Sequence, residues 1–303
     1  MPELTPYDEF GLFHENAAEY GIAYSGPPDV RRVDVEVAPG RKVSSLVWGT
    51  NQPELVLVHG GAQNAHTWDT VALALGVPLL AVDLPGHGHS DGGPDGIVSV
   101  GSNGSDLATV VGRLAPDARG VVGMSLGGMS SIALADHAPD LVRRLALVDV
   151  TPGVNPENAA PITNFINGPP SFESFDELLA RTIEHNPGRS ESSLRRGILH
   201  NAVQRADGSW VWRWARFRGD PDAAPTHPDF TDWWDAVSRI TVPLLLVRGL
   251  AWSVVDDADV EELLRRQPGA RVIGVEGAGH SIQGDRPLEL AAILEEFFAS
   301  EHD

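Results

Sequence analysis

The stretch VVGMSLGGMS, residues 121–130, sets a serine where it can act as a nucleophile. Gly123-Met124-Ser125-Leu126-Gly127 fits G-x-S-x-G, with an apolar run before it and a helix-forming run after it. Between a strand and a helix, this pattern holds the serine on a strained turn whose small neighbours give the chain clearance. The turn lifts Oγ above the sheet edge, and the amide of Leu126 at the helix start faces an oxyanion as it forms. A purely structural reading, in which Gly127 and Gly128 only let a helix pack close to a sheet, is the lesser one.

An oxyanion needs a second donor, and a serine hydroxyl needs a base. LVLVHGGAQNAHTW (55–68) offers the donor: His59-Gly60-Gly61 follows an apolar run, so Gly61 or Ala62 can point an amide at the same sheet edge. His59 itself reads as a structural histidine of that loop. His66 and Trp68 are candidates for contact with the acyl or alcohol part of a substrate, with plain loop packing as the alternative. For the base, His280 in VEGAGHSIQGDRP lies after the last apolar run and before a helix, where it can take the serine proton and return it to a leaving group. His137, His185, His200 and His227 fall in helices or in an inserted segment and lack that placement. HGHSD (87–91) invites a metal through His87, His89 and Asp91, but no further ligands adjoin it, and a turn knitted by Asp83 and Ser90 accounts for it better. No phosphate-binding loop of the G-x-x-x-x-G-K-[ST] kind is present, so no metal and no cofactor are expected.

The elements that must position these residues are legible as short apolar runs. ELVLVH (54–59), LLAVD (79–83), GVVGM (120–124), LALVD (145–149), PLLLVR (243–248) and RVIGVE (271–276) are nearly continuous in apolarity, as in strands buried on both faces. Helical stretches fall between them, around 66–75, 103–114, 126–138, 256–267 and 287–299. VDVEVA (33–38) and VSSLVW (43–48) flank a turn and predict a β-hairpin. The alternation predicts an α/β fold with a doubly wound, mostly parallel central sheet. Residues 152–239 break the rhythm, with helix candidates at 174–185 and 193–205 and no buried-strand signal. Five of the eight tryptophans, Trp210, Trp212, Trp214, Trp233 and Trp234, fall there. The segment reads as a helical cap of 152–239 on a core formed by 1–151 and 240–303, its tryptophans making a small core of their own, with one or two lining a pocket roof.

Composition narrows the function classes. The net charge of −20, from 42 acidic against 22 basic residues, opposes nucleic acid and anionic membranes and favours a small neutral substrate. Zero cysteines exclude a disulfide framework and thiolate chemistry. The N-terminus lacks a basic start followed by an apolar core, and no apolar run is long enough to span a bilayer, so a cytoplasmic monomer or homodimer is expected.

HGG, DLPGHGHSD, GMSLGGMS and GAGHSIQGDRP occur in the order and at the spacing of the α/β-hydrolases, which the chain resembles over nearly all its length except the N-terminal segment. The resemblance implies a cap after the sixth strand and a triad in the chain order Ser, acid, His. A serine at 125 argues against the dehalogenase and epoxide-hydrolase branches, whose nucleophiles are carboxylates. In most members the acid follows the next strand in a pattern like G-x-x-D, but here Gly249-Leu250-Ala251 leads to Trp252. Asp256 and Asp257 come later and suit a helix N-terminus. Asp149 ends the strand LALVD, where some branches keep the acid, although D-x-T-P also makes an Asx turn. Asp149 is therefore favoured, with Asp256 and Asp257 as alternatives. Trp252 is expected to narrow the pocket beside His280, and Met124 and Trp214 join His66, Trp68 and Trp252 as candidate lining residues. The expected activity is that of a serine hydrolase on a neutral ester or lactone through an acyl-enzyme. Thioester, amide or C–C bond hydrolysis fits the same groups, and a non-hydrolytic ligand-binding or biosynthetic auxiliary protein is the alternative from another class.

Overall fold

The computed structural model describes residues 5–93, 99–214 and 230–299. In chain order its elements are α1 (Phe13–Tyr20), β1 (Val30–Ala38), β2 (Arg41–Trp48), β3 (Leu55–Val58), α2 (Asp69–Leu75), β4 (Leu79–Val82), α3 (Val100–Leu114), β5 (Gly120–Met124), α4 (Leu126–His137) and β6 (Leu145–Val148). An inserted stretch follows, with α5 (Pro156–Ile166), β7 (Ser171–Phe172), α6 (Phe175–His185), α7 (Glu191–Asn201), β8 (Ala202–Gln204), β9 (Trp210–Trp212) and α8 (Trp234–Arg239). The chain then resumes with β10 (Leu244–Gly249), α9 (Asp257–Arg266), β11 (Arg271–Val275), α10 (Ile282–Asp285) and α11 (Pro287–Ala299).

Eight strands form one sheet in the order β1-β2-β4-β3-β5-β6-β10-β11. The β1–β2 hairpin and the β2–β4 pair are antiparallel, and β4, β3, β5, β6, β10 and β11 run parallel. The continuous apolar runs have a simple physical cause. Successive side chains of a strand point to opposite faces, so a strand covered on both faces must be apolar at every position. Along β3, Val56 and Val58 enter the core that holds α3, α4 and α8, while Leu55 and Leu57 enter the core that holds α1, α2 and α11. β10 repeats the division, with Leu244 and Leu246 on the first face and Leu245 and Val247 on the second.

β3 is flanked by β4 on one side and β5 on the other, so the chain reverses its winding direction at β3. Ligands of open α/β sheets bind outside the carboxyl ends of the strands at such a switch. HGG leaves β3 there and Ser125 leaves β5. The helix after β5 lies very close: a Cβ on Gly127 would fall 2.3 Å from the carbonyl oxygen of Val58, so only glycine fits.

The insertion departs from an all-helical cap. β7, β9 and β8 form a three-stranded antiparallel sheet within it. Strands of two or three residues are too short to leave a period-2 signal. The two helices expected there are present as α6 and α7, each capped by a serine, Ser174 and Ser190, that accepts an amide of the first turn, but α7 ends at Asn201 and the expected helical residues 202–204 form β8 instead. The tryptophans divide between two cores. Trp210, Trp212 and Trp214 pack with Phe172 and Leu178 inside the insertion, whereas Trp234 enters the main core with Trp233 packed against it. Among the described residues no helix is long and apolar enough to cross a membrane.

Candidate active site

Ser125 sits at φ +51° and ψ −121° between β5 and α4. A positive φ costs a non-glycine residue on the order of 1–3 kcal/mol and persists only where the surroundings enforce it. Two hydrogen bonds do so: the Ser125 amide donates to the Val148 carbonyl at 3.2 Å, and the Met129 amide donates to the Ser125 carbonyl at 3.1 Å. Leu126 begins α4, so its amide has no partner within the helix. The β3 loop comes close, since a Cβ on Gly60 would lie 3.1 Å from Ser125 Cβ and 2.5 Å from Met124 Sδ.

That loop is held by two buried histidines that brace each other's strand ends. His59 Nε2 accepts from the Leu84 amide at 2.9 Å, while Nδ1 is 2.7 Å from the Gly60 carbonyl, which makes Nδ1 the protonated nitrogen. His87 returns the arrangement, its Nε2 accepting from the Ala62 amide at 3.1 Å with Nδ1 donating to the Pro85 carbonyl. Burial, with His87 beside it, lowers His59 to about 3, and burial lowers His87 as well. Both rings are therefore neutral at pH 7. The bond to His87 corrects one expectation, because it engages the Ala62 amide. Among the described residues the Gly61 amide has no protein partner, so of the two it is the free donor. Gln63 ties this loop to the one carrying His280, accepting from the Gly60 amide at 3.2 Å and donating to Ser281 Oγ at 3.4 Å.

His280 is 5% exposed, and its Nδ1 lies 2.8 Å from Asp149 Oδ2. A carboxylate only accepts, so Nδ1 carries the proton and Nε2 is left with a lone pair. Asp149, itself at φ +51°, is fully buried and receives three further donors. The Gly249 amide reaches Oδ1 at 3.0 Å, Ser253 Oγ donates to Oδ1 at 2.5 Å, and the Val254 amide reaches Oδ2 at 3.3 Å. The end of β10 and the loop after it thus supply donors to a carboxylate that follows β6, instead of a carboxylate of their own.

The alternative acids are occupied elsewhere. Asp256 caps α9, accepting from the Asp259 amide at 2.9 Å in a capping box, and Asp257 is an exposed partner of Arg248. Trp252 lies with its ring centroid 5.9 Å from that of His280 at 69° and lines the same cavity.

That cavity, of about 620 Å³, is bordered by Gly60, Gly61, Ser125 and His280 on the sheet side and by residues of α5, α6 and α7 on the other. Met124 and His66 border it. Two of the five expected lining residues do not. Trp68 is fully buried under the sheet among Leu55, Leu57 and Leu79, and Trp214 packs inside the insertion, where Trp212 reaches the cavity instead. The residue type alone gives no sign of which core receives a tryptophan, hence both misplacements.

The HGHSD turn is knitted by Asp83, whose Oδ1 accepts from the Ala65 amide and Oδ2 from the His89 amide and Arg32, while Ser90 Oγ donates to its carbonyl. One wall of the cavity carries charges that composition alone did not reveal. His66 Nδ1 is 2.9 Å from Asp69 Oδ2 and its Nε2 is 3.2 Å from Glu9 Oε1. Burial works against charge on His66, but Asp69 and Glu9 prevail and raise it to about 9. Burial raises Asp69 against the pull of His66. Burial and the proximity of His66 hold His200 neutral, well below the ordinary histidine range. Glu9 and Tyr7 belong to the N-terminal segment, which no motif marks, and His200, set aside as a base, proves to border the cavity. His227 lies outside the described residues.

The model of the alpha/beta hydrolase family matches residues 55–293. The chain is 45% identical over 300 residues to the esterase Rv0045c of Mycobacterium tuberculosis, covering 96% of each chain. A solved structure of that esterase, described together with its transition metal inhibition, superposes with a TM-score of 0.85 at 44% identity and covers 98% of this chain and 100% of the other. A more distant relative, the 3-hydroxybutyrate-oligomer hydrolase of Cupriavidus necator, is 28% identical over 267 residues, 83% of this chain and 90% of the other.

Proposed function

From the premise that this chain belongs to the α/β-hydrolase family, we propose that it is a serine esterase working through Ser125, His280 and Asp149. The observation that carries the reading is the 2.8 Å hydrogen bond from His280 Nδ1 to a buried Asp149, in the cavity that Ser125 also lines. Esterase activity in a relative 45% identical along nearly the whole chain supports the reaction class.

In this mechanism Ser125 Oγ attacks the ester carbonyl as His280 Nε2 takes its proton. Asp149 keeps the proton of the resting imidazole on Nδ1 and balances the charge of the imidazolium. The amides of Gly61 and Leu126 receive the oxyanion. The imidazolium then protonates the departing alkoxide, leaving an acyl-enzyme and a free alcohol. Water attacks the acyl carbon with His280 again as base, and collapse releases the acid and restores Ser125.

The strain at Ser125 serves this sequence, because it keeps Oγ at the end of β5 without a search for the reactive geometry. The insertion of 152–239 acts as the cap: α5, α6 and α7 supply the wall opposite Ser125. A small uncharged ester suits the net charge of −20 and the mixed apolar and polar wall. Lactones present the same carbonyl and are included in the reading.

The test is covalent labelling by a fluorophosphonate with intact-mass readout, alongside turnover of a p-nitrophenyl ester series from short to medium acyl chains. The reading requires one adduct on the parent, none on Ser125→Ala, and turnover lost in the same variant. Labelling that survives Ser125→Ala, or a complete lack of ester turnover by the labelled-competent parent, would sink it.

A further inference from the structure

We propose that His66, Asp69 and His200 form a binding site for a divalent transition-metal ion of the zinc class, joining α7 of the insertion to the start of α2 in the core. The proposal is independent of the esterase reading and concerns groups to which the hydrolytic mechanism gives no role.

Three observations converge on it. The first is spacing. One ligand atom from each residue lies within 4.8 Å of the others, with His66 Nδ1 2.9 Å and His200 Nε2 3.8 Å from Asp69 Oδ2. Ligands of a tetrahedral ion at about 2.0–2.2 Å stand roughly this far from one another. The second is unmet hydrogen bonding. Asp69 is 2% exposed and His200 4% exposed, yet Asp69 Oδ1 and His200 Nε2 are without a hydrogen-bond partner. Burying such atoms unpaired is costly, and a cation would engage both.

The third observation is the set of partners behind the ligands. A metal-bound histidine usually donates its other N–H to a carboxylate or similar acceptor, which fixes the ring and raises its basicity. His66 Nε2 faces Glu9 Oε1 at 3.2 Å, and His200 Nδ1 is 2.8 Å from the Tyr7 hydroxyl. Both rings thus have their far nitrogens held and their near nitrogens turned towards Asp69. Two imidazoles and one carboxylate suit zinc, nickel or copper rather than magnesium or calcium.

The ion would take the place of the proton that His66 Nδ1 shares with Asp69, and water would complete the coordination. The two rings lie parallel, 3.8 Å between centroids at 10°, so their lone pairs converge only after a tilt. His200 is the ring to move, since its side chain is held by one hydrogen bond, to Tyr7, whereas His66 is held at both nitrogens. Because all three ligands border the cavity, the ion can arrive through it without unfolding the core.

The deciding measurement is anomalous diffraction at the zinc edge from crystals of the full chain grown with zinc chloride. The expected result is a peak within about 2.0–2.2 Å of His66 Nδ1, an Asp69 oxygen and His200 Nε2. Peaks confined to His280 or to surface histidines, or no peak at this cluster, overturn the proposal. In solution, calorimetric titration with zinc should give one site on the parent that His200→Gln weakens at least tenfold, while His185→Gln, on the same cavity wall, leaves it intact. Equal binding by parent and His200→Gln overturns the proposal too. If His200→Gln does not fold, the diffraction result on the parent decides alone.

Discussion

Asp149 Oδ2 stands 2.8 Å from His280 Nδ1 although 131 residues separate the two in the chain. The end of β10 and the loop after it close on the same carboxylate through Gly249, Ser253 and Val254. Asp149→Asn should therefore leave the fold intact and lower kcat by about 10⁴, the scale seen when a triad loses the acid that sets the histidine tautomer. Asp256→Asn should leave kcat unchanged, because Asp256 caps α9 and does not touch His280. Steady-state kinetics of both variants on one ester checks the assignment, and the reverse pattern would move the acid to the helix.

Ser253 donates to Asp149 at 2.5 Å, and in the proposed mechanism it holds the carboxylate rather than meeting substrate. A hydrogen bond to a charged group contributes about 1.5–3 kcal/mol. Ser253→Ala should lower kcat roughly tenfold or more with KM little changed, and Ser253→Thr should restore most of the loss. A change in KM alone would mean that Ser253 contacts substrate instead.

Gly60 has no room for a side chain. Its Cβ would lie 2.5 Å from Met124 Sδ and 3.1 Å from Ser125 Cβ. The thioether can swing away, but the serine is locked at a strained φ, so the added methyl displaces either Ser125 or the amide of Gly61. Gly60→Ala should cost about 10²–10³ in kcat, the scale of a lost oxyanion donor, with a Tm near that of the parent. Near-parental kcat would mean that the β3 loop yields without moving its amides.

Acid sensitivity should follow His59. Burial lowers it from 6.5 to about 3, so the unfolded chain binds a proton that the folded chain refuses. The stability tied to the neutral ring is fully present above pH 6.5 and is lost progressively as pH falls towards 3. His59→Gln cannot take that proton. Thermal melts from pH 7.5 to 4 should show the variant less stable at neutral pH, with the gap narrowing as pH falls. A constant gap would mean that His59 does not govern the acid limb.

Much of the architecture was legible along the chain because its signals are local. Continuous apolar runs identify the strands of the parallel sheet, buried throughout in β3, β4, β5 and β6 but largely exposed in the edge strand β11, and G-x-S-x-G between such a run and a helix marks the turn at Ser125. The glycines of HGG and the histidine of GAGHS fall at ends of strands that a parallel sheet must gather at one edge. The helix-start context of Asp256 and Asp257 favoured Asp149 without excluding them, since all three are aspartates at the ends of secondary-structure elements. Packing β6 beside β10 settled where each carboxylate points: it buries Asp149 beneath the β10 loop and leaves the other two at the start of α9. The same holds for Ala62, whose amide is spent on a histidine 25 residues away, and for Trp68, which faces the core rather than the cavity. The cluster of His66, Asp69 and His200 at the cavity, with Glu9 behind His66, comes from three stretches of chain with no common motif. Periodicity reports which side of its own element a residue occupies; which distant groups meet it there depends on how the sheet brings those elements together.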